Sequence, residues 1–139
     1  MSHAKEKLWS KDFVIMSIIN FIILVIFYLL MVTMASFAVK EYHASTSQAG
    51  LVTGIYIIGT LIGRLGTGRV IDQFGRKKVL IIGLALFVLT MSLYFINAGI
   101  TVLLLCRLVH GISVGIASTA TGTIVAQILP QSRKGEGIG

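Results

Sequence analysis

Residues 13–39 read FVIMSIINFIILVIFYLLMVTMASFAV, twenty-seven consecutive positions without a charge. At ~1.5 Å per helical residue this run crosses a hydrocarbon core of ~30 Å with room for tilt. It is too long for a cleavable signal peptide and has no small-residue cleavage site at its end. Outward from it, the next uncharged run is Tyr42 to Gly63, and its helical pattern continues past Arg64 to about Ile71. From Val79 onward only Arg107 is charged before Arg133. Those 54 positions would make a helix of ~81 Å, too long for one span. The turn-prone cluster Asn97-Ala98-Gly99 divides them. The expected fold is therefore an all-α membrane protein with four transmembrane helices, near 13–39, 48–71, 79–97 and 100–129. Residues 1–12 precede them, and 130–139 form a connection after them. β-barrel strands would need polarity alternating over about ten residues, and these runs do not alternate.

Composition agrees with that solvent. Hydrophobic residues make up 55% of the 139 and charged residues 12%, about half the charged share of a globular domain. A chain so apolar cannot cover its surface in water, so the lipid bilayer is its first partner. Cys106 is the only cysteine, which excludes an internal disulfide framework, and no cysteine–histidine spacing suits zinc. No P-loop is present, so ATP is not the energy source. No Ser/His, paired-acid or metal constellation converges within a span; neither an enzyme, a cofactor nor a metal is expected. The net charge of +7 has no basic face interleaved with aromatics, so nucleic acid is not expected as a partner.

The charge is sorted by side instead. Lys5, Lys7, Lys11, Arg69, Arg76, Lys77, Lys78, Arg133 and Lys134 fall on one side, and Lys40 alone on the other. The positive-inside rule then puts the N-terminus in the cytoplasm of a cell-membrane protein. Trp9 and Tyr42 flank the first helix at interfacial depth, as anchors.

The connection between the second and third helices reads Gly68-Arg69-Val70-Ile71-Asp72-Gln73-Phe74-Gly75-Arg76-Lys77-Lys78. Gly68 permits close helix approach, Asp72 sits at the membrane edge, and Gly75 permits a tight turn, with positive φ as one way to make it. Asp72 is the only acid in a basic loop and is expected to pair with Arg69, Arg76 or a group elsewhere in the protein. A carboxylate here would also face a helix N-terminus favourably. Charge alone asks for nothing beyond a solvated loop.

This spacing resembles the signature loop of the major facilitator superfamily: glycine, three residues, aspartate, a basic residue, any residue, glycine, two basic residues. Its place between the second and third of four spans matches too. The resemblance implies the start of a twelve-helix fold. It also implies a cytoplasmic gate containing Gly68, Arg69, Asp72, Gly75, Arg76 and Lys77, in which the aspartate helps latch two halves together in the outward-open state. Gln73 departs from the pattern, standing where the family usually has a basic residue.

Arg107 lies eight residues past Gly99, ~12 Å down the fourth helix. Facing lipid it would cost about 2.5 kcal/mol or more, so a wet or polar interior is expected. Arg107, Gly111, Gly115, Ser118 and Gly122 recur at three or four and share one face, a groove of small side chains leading away from a cation. The plainer reading is an arginine snorkelling outward, with glycines that serve helix packing. Arg107, three residues, Gly111, three residues, Gly115 resembles the fourth-helix motif of the proton-coupled drug antiporter branch. That resemblance implies a role for Arg107 in coupling proton movement to export. His110, one turn on, is either a proton site or a hydrogen-bonded packing residue, and Arg107 disfavours its charged form. The tail from Pro130 to Gly137 resembles the connection into a fifth helix. The resemblance thus covers the chain as the first third of a transporter, with the remaining helices, a small-molecule substrate and protons as partners.

Arg64 reads equally as gate or anchor. Gly50/Gly54 and Gly59/Gly63 are small-xxx-small pairs that favour tight helix contacts. Asn20, Thr33 and Ser36 read as helix–helix hydrogen bonders before path-lining groups, and His3 and His43 as solvated. No Asp or Glu falls inside a span, so a carboxylate proton carrier would come from other helices, or His110 would act instead. The function expected is secondary active transport, proton-coupled efflux of small molecules by alternating access. The alternatives are an uptake symporter of the same superfamily and a non-transporting four-helix subunit. A small four-helix drug exporter would carry an acid in its first helix, and Phe13 to Val39 has none.

Overall fold

Ser10 starts the bundle: its hydroxyl accepts the Phe13 backbone N–H at 3.2 Å and caps α1, Lys11–Tyr42. In this computed structural model residues 7–138 are described, so His3 and Lys5 lie outside the described residues. At the far end of α1, His43 takes a left-handed conformation (φ 51°) that turns the chain. Ser45 and Gln48 then form a reciprocal capping box that opens α2, Thr46–Phe74. Gly75, at φ 88°, separates α2 from α3, Arg76–Leu93. Gly99, at φ 99°, precedes α4, Ile100–Ile128. A 3-10 turn at Gln131–Arg133 leads into a short α5, Lys134–Ile138.

The helices run past the uncharged segments at most ends, because caps and glycines stop them while charges do not. α2 begins two residues before the expected 48, where Ser45 supplies the cap, and continues to Phe74 because only Gly75 breaks it. The C-terminal end of α3 departs most. The helix ends at Leu93, short of the expected 97, as Tyr94, Phe95 and Ile96 tighten onto the carbonyls of Met91, Ser92 and Leu93. The expectation of four equivalent spans is corrected accordingly. Among the described residues three helices, α1, α2 and α4, are long and apolar enough to cross a membrane. α3 has 18 residues, and Arg76, Lys77 and Lys78 occupy its first turn.

Polar contacts mark one end of the bundle. Tyr42 Oη donates to Asn97 Oδ1 at 2.5 Å, and Asn97 Nδ2 donates to Glu41 Oε1 at 2.9 Å. At the other end Leu8 and Phe13 pack with Val125 and Leu129. The chain therefore enters and leaves the helical region at the same end. α3 connects the Gly75 end to the Asn97 end.

α4 is the hub, and a glycine seam joins it to α2. A Cβ on Gly59 or Gly63 would collide with the carbonyl oxygens of Leu108 and Ile112, and one on Gly111 or Gly115 with those of Tyr56 and Thr60. Without side chains in the seam the backbones touch, which is how helices gain packing energy where lipid gives no hydrophobic drive. Gly83 brings α3 close too, though less so, at 2.9 Å from its would-be Cβ to the Ala117 amide nitrogen. α1 packs less closely and leaves Phe21, Val25, Leu29 and Val32 exposed, a face suited to lipid. The seam uses only one of the two expected glycine pairs. Gly50 and Gly54 have open space around them, as do Gly68 and Gly122. The close approach expected at Gly68 is not made by any described residue.

Candidate functional site

A cleft of about 810 Å³ opens between α1, α2 and α4, within the size range of small-molecule sites. Most of its wall is apolar, but Ser17 and Asn20 of α1, Tyr56, Thr60 and Arg64 of α2, and Ser118 of α4 all line it. The α2 members stand four residues apart, so one helical face carries all three. Asn20 Oδ1 lies 2.8 Å from the Thr121 hydroxyl. Asn20 thus bridges α1 to α4 and lines the cleft at once. Thr33 and Ser36 do neither: their hydroxyls donate to the carbonyls of Leu29 and Val32 in their own helix.

Arg107 lies elsewhere, inside the contact between α2 and α4. It is 1% exposed, donates from Nε to the Val52 carbonyl oxygen at 3.1 Å, and holds its Cζ 4.4 Å from the centre of the Tyr56 ring. A planar guanidinium suits both contacts, and the ring face offsets part of the cost of burying the charge. Of the wet or polar interior expected, Arg107 meets polar partners, and the groove of small side chains beside it is filled at Gly111 and Gly115, which meet α2 backbone. Ser118 alone of that stripe reaches the cleft.

His110 is fully buried, with its ring among Tyr56, Phe87 and Tyr94 at centroid distances of 5.2, 5.0 and 5.5 Å. Its Nδ1 lies 3.0 Å from the Tyr94 hydroxyl. His110 Nε2, Tyr56 Oη and Arg107 Nη1 are buried without a hydrogen-bond partner among the described residues. Such groups inside a membrane are costly and call for water or ligand contacts. Tyr56 touches both places, under Arg107 and in the wall of the cleft. Neither Tyr56 nor Tyr94 stands out in the sequence as a site residue, although the four-residue spacing of Tyr56, Thr60 and Arg64 was there to be seen.

The loop residues gather at the Gly75 end of the bundle, the end that the charge distribution predicts to face the cytoplasm. Asp72 is in the last turn of α2 and its side chain is 81% exposed; it pairs with Arg76 of α3 at 3.4 Å. Arg69 and Lys77 are exposed. Arg76 has a buried Nε without a partner among the described residues. Gly75 takes the positive φ that lets α3 follow α2 without a linker. No described residues hold a group of three or more His, Cys, Asp or Glu suited to a metal.

Residues 16–139 match the family model described as Major Facilitator Superfamily. Human solute carrier family 2, facilitated glucose transporter member 12, is 32% identical over 91 residues, covering 66% of this chain and 15% of that protein. Multidrug resistance protein 2 of Bacillus subtilis is 30% identical over 111 residues, 80% of this chain and 28% of that protein. The arabinose-proton symporter of the same organism is 27% identical over 94 residues, 68% of this chain and 20% of that protein. The matched stretch thus spans less than a third of each of these relatives. No solved structure matches the chain.

Proposed function

We propose, from the premise that this chain belongs to the Major Facilitator Superfamily, that it forms the beginning of a secondary active transporter working by alternating access. As a member it is a multi-pass membrane protein and not an enzyme. The observation that carries the transport reading is the cleft between α1, α2 and α4, with polar side chains inside an otherwise apolar bundle. Transporters of this kind bind substrate near the bilayer midplane and rock two helical units about it.

In this reading α3 is the fourth crossing, with the N-terminus in the cytoplasm of a cell-membrane protein. The support is that α3 joins the Gly75 end to the Asn97 end, and that Val79 to Ile96 is uncharged. The residues from Gly68 to Lys77 form the cytoplasmic gate. The support is the exposure of Asp72, whose 3.4 Å pair with Arg76 leaves most of its carboxylate open to a second helical unit. Arg107 couples proton movement to transport, and His110, one turn on along α4 and hydrogen-bonded to Tyr94, is the candidate proton site beside it.

The leading direction is export of a small molecule against an inward proton flow, supported by the Arg107-Gly111-Gly115 spacing and the match to multidrug resistance protein 2. The second reading is uptake with protons, favoured by relatives whose names give sugars as cargo. Proteoliposomes holding the full-length protein and a trapped pH dye test both. Sugars or drug-like compounds are expected to discharge an imposed pH gradient. A response to sugars alone turns the reading to uptake, and no response beyond empty liposomes contradicts proton coupling.

A further inference from the structure

We infer that the cleft between α1, α2 and α4 selects a small organic anion, held by Arg64 with Asn20; this rests on the transport reading above. Arg64 is the single charged residue in the cleft wall, and no acidic side chain of the described residues lines it. Its depth is that of a substrate site. Arg64 is ten residues from the end of α2 and Ser118 ten from the end of α4, while Asn20 is nine from the start of α1. At the helical rise, all three lie ~13–15 Å from the Gly75 end of the bundle, inside the hydrocarbon core.

The hydrogen-bonding capacity of the wall is one-sided. Ser17 Oγ donates to the Phe13 carbonyl at 2.8 Å, Thr60 Oγ1 to the Tyr56 carbonyl at 3.0 Å, and Ser118 Oγ to the Gly115 carbonyl at 3.4 Å. These hydroxyl hydrogens are committed to backbone. The Thr121 hydroxyl is shared between Asn20 Oδ1 at 2.8 Å and the Ser118 carbonyl at 3.0 Å, and the Asn20 amide Nδ2 has no acceptor among the described residues. Tyr56 Oη is buried and without a partner among them. The Arg64 guanidinium has no ion-pair partner there either, since the salt bridges of the described residues are Arg76–Asp72 and Arg133–Glu136.

The groups left to donate are thus a guanidinium, an amide N–H pair and a buried phenol, while the committed hydroxyls keep only acceptor lone pairs. A carboxylate or similar anion supplies the acceptors they lack, and Arg presents a planar fork that matches it. A cation would meet an uncompensated like charge in a low-dielectric wall. A neutral polyol would leave the guanidinium's charge unanswered. The apolar remainder of the wall, with Phe27 stacked on Tyr56 at 5.4 Å, suits the hydrocarbon or aromatic part of such an anion.

The test uses the full-length transporter in proteoliposomes at matched protein content. The probes are fluorescein as organic anion, ethidium as organic cation and glucose as neutral sugar. Fluorescein is expected to move above the rate of empty liposomes while ethidium does not. Arg64→Gln is expected to lower fluorescein flux about tenfold or more, the loss of one charge-assisted hydrogen bond, and Arg64→Lys to retain most of it. Movement of ethidium or glucose without fluorescein, or equal fluorescein flux in Arg64→Gln, overturns the anion assignment and leaves transport standing. Flux of none of the three above empty liposomes overturns the transport reading and this inference with it.

Discussion

Arg107 Nε lies 3.1 Å from the carbonyl oxygen of Val52, so a buried cation on α4 is bonded to the backbone of α2 in the half of the bundle nearer Asn97. The bond uses a carbonyl that already belongs to a helix, and the guanidinium stacks on Tyr56 four residues further along the same helix. Any movement of α2 against α4 must alter this contact. In the proposed cycle this contact would make Arg107 the link between helix packing and protonation.

Arg107→Ala in the complete transporter is therefore expected to abolish proton-driven flux while membrane yield stays unchanged. Arg107→Lys keeps the charge but neither the planar fork nor the stack, and is expected to lose roughly tenfold. Flux measured against an imposed pH gradient checks both, and unchanged flux in either variant removes Arg107 from coupling.

The glycine seam makes a packing prediction that separates glycines by position. Gly115→Val must push the α2 backbone away at Thr60 and is expected to cost about 2 kcal/mol or more. Gly68→Ala and Gly122→Ala, which meet open space, are expected to change stability by less than about 0.5 kcal/mol. Thermal unfolding of the purified protein in detergent gives the comparison; equal losses at all three positions would refute the seam.

Asp72 separates stability from function. Its pair with Arg76 is long and exposed, the kind that contributes about 0–1 kcal/mol. Asp72→Asn is expected to leave the unfolding temperature nearly unchanged yet slow the transport cycle more than Lys78→Ala does. Equal, negligible effects on flux would reduce the loop to a signal of topology.

Gly75 holds φ 88° between two helices that have no other linker. Gly75→Ala is expected to cost about 1–3 kcal/mol through backbone strain, although its Cβ would meet open space. The same melting measurement, set beside Gly68→Ala, reads strain apart from crowding.

Sequence patterning reached the helices and their order because uncharged length is a direct statement about lipid. Gly75 and Gly99 were legible as breaks, and each has positive φ. The end of α3 was not, since Tyr94, Phe95 and Ile96 are as apolar as the helix they leave. Arg107 was marked by its charge, but the groove beside it was misread: a stripe of glycines looks alike whether it lines water or admits a neighbouring backbone, and only the positions of Tyr56 and Thr60 decide. Asn20 shows the converse. A lone asparagine in a span reads as a helix–helix bonder, and it bonds Thr121 while also lining the cleft. Arg64 read as either gate or anchor, because its place in the cleft depends on α1 and α4 lying across from it.

The central claim is that the chain threads the bilayer with the Gly75 turn and the Asn97 turn on opposite faces. Single cysteines at Gln73 and Ala98, both exposed, report on this directly when intact cells are treated with a membrane-impermeant maleimide. Ala98→Cys is expected to label from outside and Gln73→Cys only after the membrane is permeabilised. Labelling of both from the same side would contradict the account.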